Sequence, residues 1–331
     1  MRAVIAGEYG SPAVLSVEDV PVPRPGPGQL LVAVRAAALN PADLRTLSGV
    51  MKDVAPLSFP HIPGSDFAGT VAELGAGVTR FAVDDEVFGV GLARATAAMA
   101  AMLSTPPSLT TGTMAEYAVF EADTPALTHR PRGLAADHAA TLPIPGLTAA
   151  ALVRAGRFAP GERVLVIGAA GGVGGAAVPL LTAARLHVIA TALPEDQGYL
   201  RALGAAETID YRAVDTVAET LRRYPRGVDV VVNLALPGPA LVAVADVLGP
   251  GGRLLNAAFP SPDPADFERA DIAVETVLSR ARAGDLDQLA AQAIAGTLPS
   301  TIGRRFSLEE APLAYAELLS AHVRGKIIVA E

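Results

Sequence analysis

The stretch Val164–Gly175, with the sequence VLVIGAAGGVGG, constrains the fold more than any other part of the chain. A short apolar run ends at Ile167, five glycines follow within eight residues, and the apolar segment Ala176–Leu186 comes next. This order predicts a buried parallel strand, a tight turn and a helix. Small residues in such a turn let backbone N–H groups approach a pyrophosphate, and the helix N-terminus adds unpaired donors. We therefore predict a dinucleotide-binding unit here.

The glycine turn departs from the strict G-x-G-x-x-G fingerprint at its first position. Ala169 stands there, while Gly171 and Gly174 occupy the second and third positions. The alternative for such a turn is a structural role in an unrelated α/β domain. The strand before it and the helix after it favour dinucleotide binding.

Composition bounds the class of protein. The 331 residues are enough for two domains, and 51% hydrophobic with 18% charged residues indicates a soluble globular protein. The absence of cysteine excludes disulfides, a thiolate nucleophile and cysteine-ligated zinc. A net charge of −8 argues against a nucleic-acid surface. No signal-like opening and no apolar run of membrane-spanning length is present, so we predict a cytoplasmic, non-membrane protein.

The first third of the chain is rich in short strands separated by glycine and proline. Met1–Ala6, Gln29–Ala38 and Ala68–Leu74 are predicted strands of a β-rich, barrel-like domain. Asn40–Asp43 predicts a turn that enters a short helix, with Pro41 at the first helical position. The Ala/Met-rich insertion Ala93–Leu103 predicts a surface helix or loop, with a substrate lid as the alternative.

From about Ala135 the pattern changes to alternating strands and helices, which predicts a doubly wound parallel sheet. The predicted strands of that sheet are Val164–Ile167, His187–Thr191, Thr208–Ile209, Val228–Leu234 and Gly252–Ala257. Pro260–Asp266 is predicted to mark the exit from the sheet. A helix near Ala273–Ala295 is expected next, followed by a strand, a helix and the terminal strand Lys326–Val329.

Eight short motifs occur in the order typical of one family. They are Ala38–Asp43, Ile62–Gly69, Asp85–Gly89, Ala115–Tyr117, Pro145–Ala149, the glycine turn, Ile209–Tyr211 and His322–Lys326. Over nearly its whole length the chain resembles the medium-chain dehydrogenase/reductase superfamily, and within it the zinc-free quinone oxidoreductase branch.

The resemblance implies an α/β fold with two domains. A GroES-like β-rich catalytic domain is expected at residues 1–125, with 263–331 returning to it. A Rossmann domain, a doubly wound parallel sheet that binds NADP, is expected at 126–262. The active site would then lie between the domains, outside the carboxyl ends of the parallel strands.

Zinc alcohol dehydrogenases of this superfamily hold a catalytic metal with a cysteine after the first-domain strand, a Gly-His-Glu and a later Cys or Asp. Here the first position falls in the turn Asn40–Asp43, the second reads Gly64-Ser65-Asp66, and the four-cysteine lobe is missing. His61 has no partner at ligand spacing, and the other histidines are scattered. Since a catalytic zinc needs three protein ligands, we predict no metal site.

The end of the second predicted strand bears on the cofactor. NAD-specific sheets place Asp or Glu there, about twenty residues beyond the loop, to bind the ribose 2′-OH. That position is Ala192, which neither fills the space of a 2′-phosphate nor repels it. NADP(H) is therefore predicted over NAD(H), although Arg201 is the nearest basic residue and no obvious clamp is present.

The resemblance also implies the residues that hold the cofactor. They are Asn40, Thr148, Ala170, Gly171, Gly172, Val173, Thr191, Ala192, Tyr211, Leu234, Ala258, Phe259 and Lys326. Asn40 could instead form only a turn, Tyr211 could be a surface aromatic and Lys326 a solvated charge. Core packing and helix capping are the preferred explanations of Tyr117 and Asp43, so the proton donor stays unassigned.

Without a metal, hydride transfer suits acceptors that delocalise the developing charge. We expect a homodimeric reductase of a small-molecule quinone or α,β-unsaturated carbonyl, with no nucleic-acid or membrane partner. One alternative is a trans-acting enoyl-thioester reductase, whose acyl pocket the insertion Ala93–Met102 could shape. The other is a relative that binds NADPH without turnover.

Overall fold

The computed structural model describes residues 1–53, 56–93, 109–320 and 322–330. The chain divides into two compact units. The first comprises Met1–Ile144, Ala281–Ala295 and Ser300–Glu331, and the second comprises Pro145–Arg280 and Gly296–Pro299. The functional domain limits expected after residues 125 and 262 stay a prediction.

The elements are numbered in chain order. The strands are β1 (Arg2–Ala6), β2 (Leu15–Asp19), β3 (Gln29–Ala38), β4 (Asp66–Leu74), β5 (Glu86–Val90), β6 (Leu92–Ala93), β7 (Leu109–Thr110), β8 (Tyr117–Glu121), β9 (Leu127–His129), β10 (Arg163–Ile167), β11 (His187–Ala192), β12 (Glu207–Asp210), β13 (Val228–Asn233), β14 (Leu248–Asn256), β15 (Ala273–Thr276), β16 (Ile302–Phe306) and β17 (Lys326–Ala330). The helices are α1 (Pro41–Leu47), α2 (Ala136–Ala140), α3 (Pro143–Gly156), α4 (Gly172–Ala183), α5 (Gln197–Ala202), α6 (Thr216–Arg223), α7 (Gly238–Val244), α8 (Asp285–Ile294) and α9 (Ala311–Ser320).

The first unit is built around β3, whose apolar run pairs antiparallel with β4, β8 and β17. Strand order in the main sheet is β6-β7-β8-β3-β4-β5-β9, and β16 pairs with β17. Phe67 and Phe120 stack at 3.8 Å in the core beneath it. Ala38 lies opposite both Asp66 and Ile328, so the end of β3 meets the starts of β4 and β17. This junction positions the site described below.

The second unit contains a parallel sheet of six strands in the order β12-β11-β10-β13-β14-β15. Its central strand β10 is apolar and buried, with Val164, Leu165 and Val166 fully enclosed. Helices alternate with the strands along the chain, as the sequence predicts for a doubly wound sheet. The predicted α/β fold class is confirmed.

Two expectations for the region after Pro260 are wrong. The chain does not leave the sheet there, because Ala273–Thr276 adds β15 beside β14. The helix expected over Ala273–Ala295 is confined to Asp285–Ile294. Gly284 precedes that helix with a φ of 83°, a conformation that glycine adopts without strain and that breaks the helical period. The β-branched Val274 and Thr276 in the preceding segment favour a strand.

Residues 94–103 of the Ala/Met-rich insertion lie outside the described residues. Among the helices that the structure describes, none has both the length and the apolar character that a membrane crossing needs.

Candidate active site

A buried polar cluster lies in the first unit, where β3 ends and β4 and β17 begin. Its members are Asn40, Asp43, Ser65, Asp66 and Lys326, and all are at most 9% exposed. Buried charged groups cost free energy unless they are paired and hydrogen-bonded, so such a cluster needs a complete set of partners.

The start of α1 supplies two members of this cluster. Asn40 is the N-cap, Pro41 the first helical residue and Asp43 the third. The Asp43 Oδ2 atom accepts a hydrogen bond from the backbone N–H of Asn40 at 2.9 Å, which is the carboxylate half of a capping box. The predicted turn, the short helix and the capping role of Asp43 are therefore confirmed.

Lys326 is the first residue of β17, and its ammonium points into the cluster. Nζ donates to Leu39 O at 2.6 Å and to Asn40 Oδ1 at 2.7 Å, and it lies 3.5 Å from Asp66 Oδ2. Only 4% of the residue is exposed. The alternative of Lys326 as a solvated charge is wrong, because its three donors face acceptors of the protein interior.

The side-chain amide of Asn40 is held in one orientation. Its Nδ2 donates to Asp66 Oδ2 at 3.0 Å and to Ala38 O at 3.3 Å, while its Oδ1 accepts from Lys326. Both Nδ2 hydrogens are thus used within the cluster, which fixes the orientation of the amide.

Two carboxyl groups share one ammonium in this cluster. Burial raises the pKa of Asp43 from 3.8 to about 7, with the nearby Asp66 charge adding to the rise. Burial also raises the pKa of Asp66, against the opposing charge of Lys326, and lowers the pKa of Lys326 against both carboxylates. The ammonium and the Ile144 N–H at 3.0 Å favour the charged form of Asp66, whereas the Asp43 carboxyl, with a pKa of about 7, is partly protonated near neutral pH.

Among the described residues, no group of three His, Cys, Asp or Glu side chains is arranged to hold a metal. The turn Asn40–Asp43 and the segment Gly64–Asp66, where the resemblance implies the ligands of zinc relatives, carry the Asn40 amide, the Ser65 hydroxyl and the Lys326-paired Asp66. A resident ammonium beside these groups disfavours a divalent cation by charge repulsion.

The glycine turn lies in the second unit, after β10. Gly168 has a φ of 80°, and Gly171 caps α4 without a side-chain hydrogen bond. A Cβ on Gly174 would lie 2.1 Å from Ala169 O, whereas a Cβ on Gly171 would meet nothing closer than Gly168 O at 3.7 Å. Gly174 therefore permits close packing of helix and turn, and the lack of a side chain at Gly171 leaves open space beside the turn.

The helix α4 begins at Gly172, four residues before the expected start. Its first N–H groups, on Gly172, Val173 and Gly174, have no intrahelical acceptors, and no side chain caps them. This arrangement fits a pyrophosphate.

Other predicted cofactor residues surround the turn. Thr191 Oγ1 accepts from Gly168 N at 3.3 Å and donates to Val166 O at 3.4 Å, which fixes the start of the turn. Ala192 ends β11 and is fully buried, and Leu234 N donates to Ile167 O at 3.0 Å. The structure thus places Thr191 and Ala192 at the carboxyl end of β11 and Leu234 just after β13, the two strands that flank β10.

The remaining predicted residues differ in their surroundings. Thr148 is buried in α3, Ala170 is buried in the turn, and Ala258 follows β14. Tyr211 and Phe259 are 44% and 49% exposed. Asn40 and Lys326 belong to the cluster of the first unit. Whether these residues contact a cofactor stays a prediction.

Sequence reasoning missed a pair of asparagines in the second unit. Asn233 and Asn256 end β13 and β14, both fully buried, and Asn233 Nδ2 donates to Asn256 Oδ1 at 2.8 Å. Their Oδ1 atoms accept from Leu236 N and Ala258 N, so the pair holds the turns that carry Leu234 and Ala258. Two apolar strands that each end in Asn were the available signal.

Both units of the chain match known dehydrogenase families. Residues 26–131 match the alcohol dehydrogenase GroES-like domain, and residues 203–329 match a family described as zinc-binding dehydrogenase. The chain is 32% identical to the chloroplastic quinone-oxidoreductase QR1 of Triphysaria versicolor, over 99% of this chain and 98% of that protein.

Solved structures of oxidoreductases are also similar to this chain over its whole length. The quinone oxidoreductase of Coxiella burnetii superposes with a TM-score of 0.85 at 28% identity, covering 100% of this chain and 99% of the other. A protein described as an NAD-dependent alcohol dehydrogenase has a TM-score of 0.83 and 32% identity, with 100% of both chains covered. The chain therefore belongs to the quinone oxidoreductase branch of the medium-chain dehydrogenase/reductase superfamily and is an oxidoreductase.

Proposed function

We propose that the protein is a zinc-independent, NADPH-dependent reductase of quinones or α,β-unsaturated carbonyl compounds. The observation that carries the zinc-independent part is the position of Lys326. Its ammonium donates to Leu39 O and Asn40 Oδ1 and lies 3.5 Å from Asp66 Oδ2. A fixed monovalent cation thus lies beside the Asp66 carboxylate, in the segments where the resemblance implies that zinc relatives hold a metal.

A nicotinamide dinucleotide fits the glycine turn of the second unit. The uncapped N–H groups of Gly172 and Val173 would hold the pyrophosphate, and the open space beside Gly171 would let it approach. When bound, the reduced nicotinamide supplies a hydride. Thr191 and the asparagine pair Asn233–Asn256 keep the surrounding turns in place through the hydrogen bonds described above.

The preference for NADPH rests on Ala192. Its methyl group ends β11 at the position where NAD-specific sheets carry an acid. No carboxylate at that position competes for the ribose or repels a 2′-phosphate. One similar solved structure is described as an NAD-dependent alcohol dehydrogenase, so kinetics with both cofactors are the direct test of the preference.

The acceptor class follows from the groups available in the cluster. No Lewis acid is needed if the acceptor spreads the charge that arrives with the hydride over a conjugated system. Quinones and α,β-unsaturated carbonyls do this, whereas simple ketones localise charge on one oxygen. Quinone oxidoreductases among the relatives support the quinone assignment.

The proposal extends to a cytoplasmic homodimer acting on a small molecule. The dimer comes from the resemblance, the cytoplasmic location is the expectation stated in the sequence analysis, and QR1 is named as a chloroplastic protein. Light scattering on the purified protein at micromolar concentration measures the assembly state, and a mass of one chain would refute the dimer.

The function is tested by steady-state kinetics with NADPH and NADH against a 1,4-quinone, a 2-enone, a 2-enoyl thioester and a secondary ketone. We expect reduction of the quinone or the enone, with a higher kcat/KM for NADPH. Exclusive reduction of the enoyl thioester would favour the carrier-acting alternative. NADPH binding without reduction of any acceptor would support a non-catalytic relative and overturn the proposal.

A further inference from the structure

We propose that the Ser65 hydroxyl donates the proton that completes the reduction and that Asp43 resupplies it. The inference deepens the proposed function and rests on it. It assigns a role to a hydrogen bond that helix capping and charge balance leave unexplained. Ser65 Oγ donates to Asp43 Oδ1 at 3.3 Å, while the other carboxylate oxygen performs the capping.

The two oxygens of Asp43 are not equivalent. Oδ2 accepts from the backbone N–H of Asn40 at 2.9 Å, and this donor cannot reverse its direction. A proton on Asp43 is therefore held at Oδ1, which faces the hydroxyl of Ser65. A hydroxyl both donates and accepts, so protonated Asp43 donates to Ser65 Oγ and the Ser65 hydrogen becomes free to point elsewhere.

Several charged or titratable groups face Asp43. Asp66 from β4 raises its pKa, Lys326 from β17 lowers it, and Tyr315 from α9 and Arg45 from its own helix interact with it electrostatically. Burial is the largest effect, and the pKa is about 7. Both protonation states are thus populated near neutral pH, as a group that gives up and regains a proton requires.

The other proton-bearing groups of this region are unsuited to the role. The three donors of Lys326 face Leu39, Asn40 and Asp66. Burial and the Asp43 charge raise the pKa of Tyr315 well above 10, so its hydroxyl retains its proton at neutral pH. That hydroxyl is also fully enclosed, with no hydrogen-bond partner in the described part of the chain.

The cluster is less buried at Ser65 and Asp43 than at Asp66. Ser65 and Asp43 are 9% and 8% exposed, whereas Asp66 is fully enclosed. Gly64 fixes the approach of the chain, because its φ is 97° and a Cβ there would lie 2.3 Å from Thr113 Oγ1. The proposed relay from Asp43 to Ser65 therefore does not involve the fully enclosed Asp66.

The proton transfer balances with the hydride. The acceptor gains one hydrogen with two electrons as hydride, which leaves a hydroquinone monoanion or an enolate. The Ser65 O–H bond breaks as its hydrogen bonds to this anion, and the hydrogen on Asp43 Oδ1 passes to Ser65 Oγ. Asp43 is left as a carboxylate and takes a proton from water, so the products are a hydroquinone or a saturated carbonyl.

The assignment of the proton is tested without cofactor or substrate. Carboxyl ¹³C chemical shifts of aspartate-labelled protein are followed from pH 4 to 9, and the Asp43 resonance is identified by its loss in Asp43→Asn. We expect its midpoint near 7, in line with the raised pKa. Ser65→Ala removes a bond that favours the carboxylate and moves the midpoint to higher pH. A midpoint near 4 in the wild type would overturn the assignment.

The catalytic role is tested by pH profiles of kcat with NADPH and the best acceptor. We expect kcat to fall above pH 7 in the wild type, because the acid form is needed. Ser65→Ala lowers kcat by roughly 10²-fold with little change in the KM for NADPH, and Ser65→Thr restores much of it. Asp43→Asn keeps the orientation of Ser65 but loses the inflection near pH 7.

Asp123→Asn, at an exposed aspartate of the same unit, is the matched control and retains the wild-type profile. A wild-type kcat and profile in Ser65→Ala would refute the proton donor. A wild-type protein that reduces no quinone or enone overturns the proposed function instead. In that case the ¹³C titration of Asp43 still tests whether this carboxyl group holds a proton near pH 7.

Discussion

Replacement of Asp43 by asparagine should stabilise the protein at pH 8 and not at low pH. The folded-state pKa of about 7 lies above the ordinary value of 3.8, so folding favours the protonated carboxyl. The stabilising contribution of that proton is complete below pH 3.8 and is lost as the pH rises through 7. Three pKa units at about 1.36 kcal/mol each amount to about 4 kcal/mol.

Asparagine carries no charge and imitates the protonated acid. Its Oδ1 can accept from Asn40 N, and its amide can donate to Ser65 Oγ, so the local hydrogen bonds are retained. The assay is the thermal midpoint of wild type and Asp43→Asn at pH 4.5, 6, 7 and 8.

For a unit of this size, about 4 kcal/mol corresponds to a shift on the order of 10 °C at pH 8, which declines towards zero at pH 4.5. Asp123→Asn controls for the loss of a carboxylate at the surface. A difference between wild type and Asp43→Asn that does not change with pH would refute the argument.

Further substitutions test the buried ion pair, the glycine turn and the cofactor preference separately. Lys326→Met leaves Asp66 buried without its cation and should lower the free energy of unfolding by roughly 3–5 kcal/mol in chemical denaturation. Adding Asp66→Asn to the same chain should recover a large part of that loss. Losses that simply add in the double variant would contradict the pairing. Gly174→Ala should prevent stable folding of the second unit, because its Cβ meets Ala169 O. Gly171→Ala should fold, and it should bind NADPH at least tenfold more weakly in fluorescence titrations. Ala192→Asp should reverse the ratio of kcat/KM for NADPH over NADH, and an unchanged ratio would refute the assignment of that position.

The second unit was largely predictable from local pattern. Strands such as Val164–Ile167 are continuous apolar runs ended by glycine, and both features are readable without tertiary contacts. The strand at Ala273–Thr276 was not predictable in this way. It is four residues long and largely exposed, and only its pairing with β14 makes it a strand.

The cluster of the first unit is formed by residues that are far apart in the sequence, so local patterns do not predict it. Asp66 and Lys326 are far apart in the chain, and they meet because β3 pairs with both β4 and β17. A lone Lys after a glycine is most often solvated, so its burial could not be inferred locally. The same holds for Asp43, whose capping function was visible in the spacing, while its raised pKa comes first from burial and then from the Asp66 charge.

The central claim is reduction by NADPH without a metal. The most direct measurement is the rate of NADPH oxidation with a quinone, before and after exhaustive chelation, with the metal content of the same sample determined by mass spectrometry. We predict an unchanged rate at a zinc content far below one per chain. A rate that falls with chelation and returns with added zinc would contradict the account.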